Sequence, residues 1–336
     1  MELQELIESL SAACHIEGDG GALETACRAA EPFADRIVRA RKSAAFYING
    51  KSDEILLFDA HIDEVGFTVT FVTDDGFLKV APYGAIDSRL LAAQPVRIFG
   101  KKTVNGVFCS TPPHLSKGDD TVGSVNDICI DTGIRKGAKE TIPLGSRVFF
   151  ASKPKKLLKN RVGGKSLDNR AGVAALIEAA RLIKQKGVPP KNVCFLLSDS
   201  EEVGLRGAKT AAFGISPVCA VAVDVSFGDG PNLPKDETAP LGSGTMIGLS
   251  PSLDKGVSDK LTALARDGGI RHTFEVMGGT TSTNADAISL TKGGVPTGLL
   301  SIPLRGMHTP FEVIDTRDVS ETAKLLASFA AEMTGD

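Results

Sequence analysis

Five histidines in 336 residues are few enough to weigh one by one for chemistry. His61 stands in Asp59-Ala60-His61-Ile62-Asp63-Glu64-Val65-Gly66, directly after the apolar run Ile55-Leu56-Leu57-Phe58. His308 stands in Arg305-Gly306-Met307-His308-Thr309-Pro310, after the apolar segment Thr297 to Ile302. His15 and His272 have no acidic or histidine companion in a plausible site, and His114 follows Pro112-Pro113, so these three read as structural or surface residues. Carboxylates sharpen the case for the other two. Asp168 opens a helical pattern in Lys165-Ser166-Leu167-Asp168-Asn169-Arg170, Glu201 and Glu202 follow Phe195-Leu196-Leu197-Ser198-Asp199-Ser200, and Asp224 follows Val221-Ala222-Val223. Singly, each has an ordinary explanation as a helix cap, a solvated helix start or a strand terminator. Jointly, two imidazoles and several carboxylates offer nitrogen and oxygen ligands for zinc or a similar divalent ion, with no thiolate among them. One carboxylate can bridge two ions while another stays free as a base. That chemistry is two-metal hydrolysis, in which ions about 3.5–4 Å apart polarise a carbonyl and activate water.

Such a cluster needs elements that bring distant residues together. His61, Glu201, Glu202, Asp224 and His308 all fall at the ends of expected strands, and open α/β sheets gather their sites at strand carboxyl ends. The pattern predicts strands at Ile55 to Phe58, Val193 to Leu197, Ala220 to Val223, Phe274 to Met277 and Thr297 to Ile302. Helices are expected over Leu3 to Leu10, from Gly21 towards Arg39, over Asp168 to Lys186, near Val203 to Phe213, and at Lys255 to Arg266, Ala285 to Lys292 and Thr316 to Glu332. Between about Thr68 and Lys159 helical periodicity is absent. Short apolar segments there (Phe67 to Val72, Phe77 to Ala81, Val96 to Phe99, Val104 to Cys109, Ile128 to Asp131 and Val148 to Ala151) are separated by turn signals such as Asp74-Asp75-Gly76, Asn105-Gly106 and Lys117-Gly118-Asp119. This texture predicts a small all-β module. The fold class is therefore α/β, a central mixed sheet flanked by helices with an inserted β-barrel-like domain.

Composition narrows the function classes. A chain 42% hydrophobic and 24% charged, with a net charge of -3, is an ordinary globular protein without the basic surface that nucleic acid requires. No apolar run approaches the length of a membrane span, and the acidic start Met1-Glu2-Leu3-Gln4-Glu5 is unlike a secretory leader. The six cysteines include no C-x-x-C pair and read as reduced core residues, which points to the cytoplasm.

The motifs as a set resemble the M42 family of metal-dependent aminopeptidases, over nearly the whole chain. The matching pieces are Ala60-His61-Ile62-Asp63-Glu64-Val65-Gly66-Phe67, Pro112-Pro113-His114-Leu115, Leu167-Asp168-Asn169-Arg170-Ala171-Gly172, Glu201-Glu202-Val203-Gly204-Leu205-Arg206-Gly207-Ala208 and Ile302-Pro303-Leu304-Arg305-Gly306-Met307-His308-Thr309-Pro310. The resemblance implies two divalent ions per chain, zinc foremost, with cobalt or manganese also fitting. It implies that Asp168 bridges them, with His61 and Asp224 on one ion and Glu202 and His308 on the other. Glu201 would be the general base, and Asp63 would support the His61 imidazole. Two departures stand out: Gly306 where many members have tyrosine, and Asn284 where aspartate is common. Both segments are expected near the substrate side chain.

The resulting expectation is an aminopeptidase that removes N-terminal residues from short peptides. Its catalytic domain would comprise residues 1–67 and 160–336, interrupted by the all-β domain 68–159, for which an oligomerising role is expected. The family resemblance further implies homo-oligomers up to a dodecamer, with neither nucleic acid nor membrane as a partner. Two rival readings are a polysaccharide endoglucanase, which needs paired carboxylates but leaves the histidines unexplained, and a non-catalytic assembly or peptide-binding homologue, to which Asn284 and Gly306 lend support.

Overall fold

The computed structural model describes residues 1–17, 20–40, 42–111, 113–115, 124–125 and 128–333. Pro112 of the Pro-Pro-His-Leu motif and the turn signal Lys117-Gly118-Asp119 lie outside the described residues. Two amphipathic helices open the chain, α1 (Leu3–Ala12) and α2 (Ala22–Ala30), and bury Leu6, Ile7, Leu10, Ala26 and Cys27. The helix expected to run on towards Arg39 stops at Ala30. Pro32 limits the continuation to one 3-10 turn, Glu31–Phe33, and the β-branched pair Ile37-Val38 lies in strand β1 (Arg36–Arg39). Strand β1 pairs antiparallel with β2 (Ala44–Ile48), a strand the sequence reading missed, and β3 (Ser52–His61) carries the chain to its first site histidine.

A closed barrel follows. Its strands are β4 (Gly66–Val72), β5 (Leu78–Tyr83), β6 (Pro95–Phe99), β7 (Thr103–Cys109) and β8 (Cys129–Asp131), then, after the short helix α3 (Ala138–Thr141), β9 (Arg147–Phe150). They close in the order β4-β5-β8-β7-β6-β9. Phe67 fills the centre, edge-on to Phe108 and Phe150 at centroid distances of 5.0 and 5.7 Å. Gly66 already belongs to the barrel, because a Cβ there would meet the Val148 carbonyl oxygen at 2.6 Å.

The large sheet resumes with β10 (Lys155–Lys156) and β11 (Arg161–Gly164), then helix α4 (Leu167–Lys186). After it come β12 (Lys191–Ser198), α5 (Arg206–Ile215), β13 (Cys219–Phe227), β14 (Thr245–Leu249), α6 (Lys255–Asp267), β15 (His272–Val276), α7 (Asn284–Ser289), β16 (Thr297–Arg305), β17 (Glu312–Asp315) and α8 (Thr316–Glu332). Among the described residues eleven strands form one mixed sheet, with the path β1-β2-β12-β3-β13-β16-β17-β11-β10 and β14-β15 branching from β16. Its middle, β12, β3, β13 and β16, is parallel. These strands are buried on both faces, which is why Val193-Cys194-Phe195-Leu196-Leu197 reads as an unbroken apolar run. Phe195 stacks on Phe46 at 4.6 Å and meets Phe58 edge-on at 5.6 Å, rigidifying the strands whose ends carry the polar residues.

Three boundaries differ from the sequence reading in ways that matter to the site. Asp224 lies inside β13, which runs on to Phe227 beside β16 after its pairing with β3 ends at Ala222. Glu201 and Glu202 do not begin a helix. Left-handed backbone at Ser200, Gly204 and Leu205 turns the chain through a loop, and α5 begins only at Arg206. In α4 the backbone at Asp168 and Asn169 is non-helical, so the regular helix starts behind the aspartate. All six cysteines are free; Cys109 and Cys129, half-buried and opposite each other on β7 and β8, are not core residues. None of the described helices is long and apolar enough to cross a membrane.

Candidate metal centre

Parallel register brings the first two site residues together. His61 ends β3 opposite Ser198 at the end of β12, and Asp224 stands on the neighbouring β13 two residues past the position opposite Asp59. The start of α4 is aimed at them. Asn169 donates its side-chain amide to the Val223 carbonyl at 2.8 Å and accepts from the Gly172 N–H at 3.0 Å. A side chain at 172 would collide with Asn169, its Cβ lying 2.2 Å from Oδ1, so glycine is required there by close approach. Ahead of the aspartate, Lys165 Nζ donates to Glu64 Oε2 at 2.6 Å, the Ser166 hydroxyl donates to the same oxygen, and Glu64 Oε1 accepts the His15 N–H at 2.6 Å. Burial would push the Glu64 carboxyl up, but Lys165 and Arg170 outweigh it and hold the group low and ionised.

Asp168 presents one oxygen to each histidine. Oδ1 is 3.1 Å from His61 Nε2 and Oδ2 is 3.2 Å from His308 Nε2. Asp224 Oδ1 is 3.7 Å from His61 Nε2, and Glu202 Oε2 is 3.5 Å from His308 Nε2. Glu201 Oε2 stands further off, 4.0 Å from His61 Nε2. Ligand-type atoms lie mutually within 4.8 Å in three groups: His61 with Asp168 and Asp224, Asp168 with Glu202 and His308, and His61 with Glu201 and Glu202. All six residues singled out in the sequence as ligands or base thus meet in one place, with Asp168 common to the first two groups.

Asp63 lies beneath this cluster, fully buried. Its Oδ1 is 3.4 Å from His61 Nδ1 and accepts the Glu201 N–H at 3.1 Å, while Oδ2 accepts the Glu202 N–H at 3.3 Å and the Tyr83 hydroxyl at 3.4 Å. One carboxylate therefore lies against the imidazole and holds the turn that carries both glutamates. This also accounts for the turn: the two amides are committed to Asp63 instead of to a helix.

Sequence reasoning missed three contributors. Glu312, the first residue of β17, accepts the Asp168 N–H at 3.0 Å with Oε2 and the His308 N–H at 3.0 Å with Oε1. Its place four residues after a candidate ligand histidine was the only available signal. Tyr83, one of two tyrosines in the chain, reaches the site from the barrel with Arg147 stacked on its ring at 4.2 Å. Gly84 follows in left-handed backbone so close that an added Cβ would lie 3.1 Å from Glu202 Oε2, which makes the barrel a wall of the site. His15, read as lacking an acidic companion, has its Nε2 2.7 Å from Asp199 Oδ1, and His272 is structural, with Nδ1 2.9 Å from the Ile270 carbonyl oxygen. His114 is exposed. Asn284, expected near the substrate, is 2% exposed and gives its amide hydrogens to Asp59 Oδ2 at 2.8 Å and Ser198 Oγ at 2.9 Å. It belongs to the floor below His61, whereas Gly306 is exposed in left-handed backbone.

The electrostatics call for cations. Burial drives Glu201 up to about 8, with repulsion from Asp224, Glu202 and Asp168 adding to it against the attraction of His61. Burial and the Asp168 charge do the same to Glu202, also to about 8. Asp224 is raised by burial, whereas the two histidines outweigh burial at Asp168 and hold it low. His308 rises to about 9, because Asp168 and Glu202 more than offset its own burial. Glu202 Oε1 is buried with no hydrogen-bond partner among the described residues. Four carboxylates confined around two imidazoles, with a ligand oxygen left over, fit divalent cations with nitrogen and oxygen ligands and do not fit a thiolate-bound metal.

Residues 43–325 match the family described as M42 glutamyl aminopeptidase. The chain is 32% identical over 294 residues to the lysyl aminopeptidase of Pyrococcus furiosus, a match covering 85% of this chain and 84% of that protein. Among solved structures, an aminopeptidase from the archaeon Desulfurococcus kamchatkensis is similar with a TM-score of 0.91 at 30% identity, over 99% of this chain and 95% of the other. The Pyrococcus horikoshii TET1 peptidase, described as able to assemble into a tetrahedron or a large octahedral shell, has a TM-score of 0.85 at 31% identity, over 99% of this chain and 100% of the other.

Proposed function

The chain belongs to the M42 glutamyl aminopeptidase family and is a peptide hydrolase; on that premise we propose that it removes N-terminal residues from short peptides with two divalent ions held by His61, Asp168, Glu202, Asp224 and His308. The observation that carries this reading is the division of the Asp168 carboxylate, one oxygen towards each imidazole. His61 and Asp224 complete one ligand group, Glu202 and His308 the other. When bound, the ions would polarise the scissile carbonyl and ease ionisation of a water. Zinc suits this ligand set, and cobalt or manganese would also be accepted.

Glu201 is the proton carrier in this reading. Its side chain is 12% exposed against 4% for Glu202, and it stands furthest from the imidazoles, so it can face incoming water while its neighbour is engaged as a ligand. It takes the proton as water attacks the first peptide bond and passes it to the departing amine. Asp63 keeps Glu201 in reach by holding its backbone N–H.

Incubation with aminoacyl amides and their N-acetylated counterparts under added zinc, cobalt or manganese tests the reading. Release from free amines alone, abolished by a chelator, is the expected result; cleavage of the acetylated series or indifference to chelation would overturn it. The endoglucanase alternative is not favoured, since it gives no role to two imidazoles inside the carboxylate cluster. The non-catalytic alternative leaves unexplained why every ligand-type residue is present.

Residues up to about 67 and from about 160 onward are taken as the catalytic unit, and the barrel between them, whose first strand already starts at Gly66, as an assembly module. Exposed Phe71, Val107 and Leu144 on the barrel support self-association, as does the likeness to a shell-forming peptidase. Light scattering that returned a monomer mass at micromolar concentration would count against it. Six free thiols suit the reducing cytoplasm.

A further inference from the structure

The sheet face that carries Asp224 changes character along its strands. On β13 the residues facing that way are Ala222, Asp224 and Ser226, in strand order. Ala222 packs with Leu299 of β16, Ala285 of α7 and Leu253, and Met277 lies against this apolar floor. Towards the carboxyl ends the face turns polar: Ser301 of β16 is in register with Asp224, and Ser226 lies beyond it. Glu275, two residues before Met277 and so on the same side of the chain, reaches both serines. The Ser301 hydroxyl donates to its Oε2 at 2.6 Å, and the Ser226 hydroxyl donates to its Oε1.

The two hydroxyls orient the carboxylate but are neutral. Burial pushes the Glu275 carboxyl up, the two hydroxyls pull it down and Asp224 adds repulsion; among the described residues no lysine, arginine or histidine pairs with it. Glu275 is nevertheless only half-buried. A half-buried carboxylate, held in place by two hydroxyls and with no basic side chain beside it, can receive a cation brought by the substrate. Ser226 is two residues along an extended strand from Asp224, about 7 Å. That separation is comparable to the reach of an extended lysine side chain from a Cα beside the reacting carbonyl.

We propose that Glu275 is the specificity-determining residue of this site and selects peptides whose N-terminal residue is cationic, lysine or arginine. The inference rests on the aminopeptidase reading above. It predicts that the ammonium or guanidinium group pairs with Glu275 between the Ser226 and Ser301 hydroxyls, and that acidic N-terminal residues are repelled by Glu275.

The test uses the full-length, metal-loaded protein with the amides of lysine, arginine, norleucine and glutamate. Norleucine keeps the unbranched side chain and lacks the charge. Lysine and arginine amides should exceed norleucine amide in kcat/KM by roughly tenfold or more, and Glu275→Gln should bring that ratio towards one, mainly by raising KM for the cationic substrates. Glu275→Asp, which keeps the charge on a shorter arm, should retain part of the preference and guards against a folding defect. Calorimetric binding of free L-lysine against L-norleucine to the loaded protein should follow the same order. Equal wild-type rates on lysine and norleucine amides, or a preference for glutamate, would overturn the proposal. So would a proportional loss on every amide in Glu275→Gln, because the residue would then be gripping the α-ammonium common to all. If wild type cleaves none of the amides, the aminopeptidase reading falls and this inference falls with it.

Discussion

The carboxylate of Glu312 accepts the backbone N–H of Asp168 at 3.0 Å, across 144 residues of sequence. Its second oxygen accepts the N–H of His308, so a single buried side chain spaces two residues of the proposed metal centre. Glu312→Gln keeps the shape but replaces one acceptor oxygen with an NH2 group that faces an N–H. A lost hydrogen bond to a buried group costs about 1–3 kcal/mol. We expect metal affinity to fall by about tenfold or more, read by metal titration of the stripped protein; unchanged affinity would show that the spacing is held by other contacts.

Asp168→Ala deletes the oxygen donor shared by both ligand groups. Both ions should be lost together, and metal analysis of the purified variant should give near-zero content. Retention of one full equivalent would mean that Asp168 serves a single ion.

Glu201 and Glu202 are adjacent yet differ in exposure and in distance from the imidazoles. Glu201→Gln should lower kcat by roughly a hundredfold or more with metal content near normal. Glu202→Gln should weaken one ion, with activity partly restored by excess metal, since mass action offsets a binding defect and leaves a chemical one unchanged. Rescue of the Glu201 variant but not the Glu202 variant would exchange the two roles.

A pH effect on stability is expected away from the site. Asp318 of α8 is buried and accepts the N–H groups of Gly242 at 2.7 Å and Gly244 at 2.8 Å. Burial pushes it up to about 6, with those two donors pulling the other way and Asp315 adding repulsion. A carboxyl whose folded pKa exceeds its unfolded value near 4 favours the fold most below pH 4, and that contribution is lost as pH rises through 6. Asp318→Asn removes one acceptor and should be less stable throughout, but the gap to wild type should narrow between pH 4 and 7 by up to about 3 kcal/mol. Denaturant midpoints across that range would reveal it, and a constant or widening gap would contradict it.

Much of this protein was legible in the chain. Ile55-Leu56-Leu57-Phe58 leading into His61, and Val221-Ala222-Val223 leading into Asp224, are local patterns: an apolar run buried on both faces is a central strand, and the polar residues after it lie towards the carboxyl ends of the parallel strands, although β13 runs on past Asp224 to Phe227. The absence of helical periodicity between Thr68 and Lys159 likewise anticipated the barrel, because alternation is a property of neighbouring residues.

Tertiary structure decided which ordinary residues became part of the site. Glu312, Tyr83 and Gly84 look in sequence like a strand-start acid, a strand-end aromatic and a turn glycine, and only the docking of β17 and the barrel against β3 and α4 gives them their partners. The turn at Glu201 was misread as a helix for the same reason. Its two amides are satisfied by Asp63, 138 and 139 residues away, and no local propensity records that offer. Asn284 was expected to face the substrate and instead spends its donors on Asp59 and Ser198, since a buried amide takes the partners that packing supplies. Side-chain type and spacing determine what a residue can do; whether a buried donor and acceptor from distant segments meet depends on how the whole chain closes.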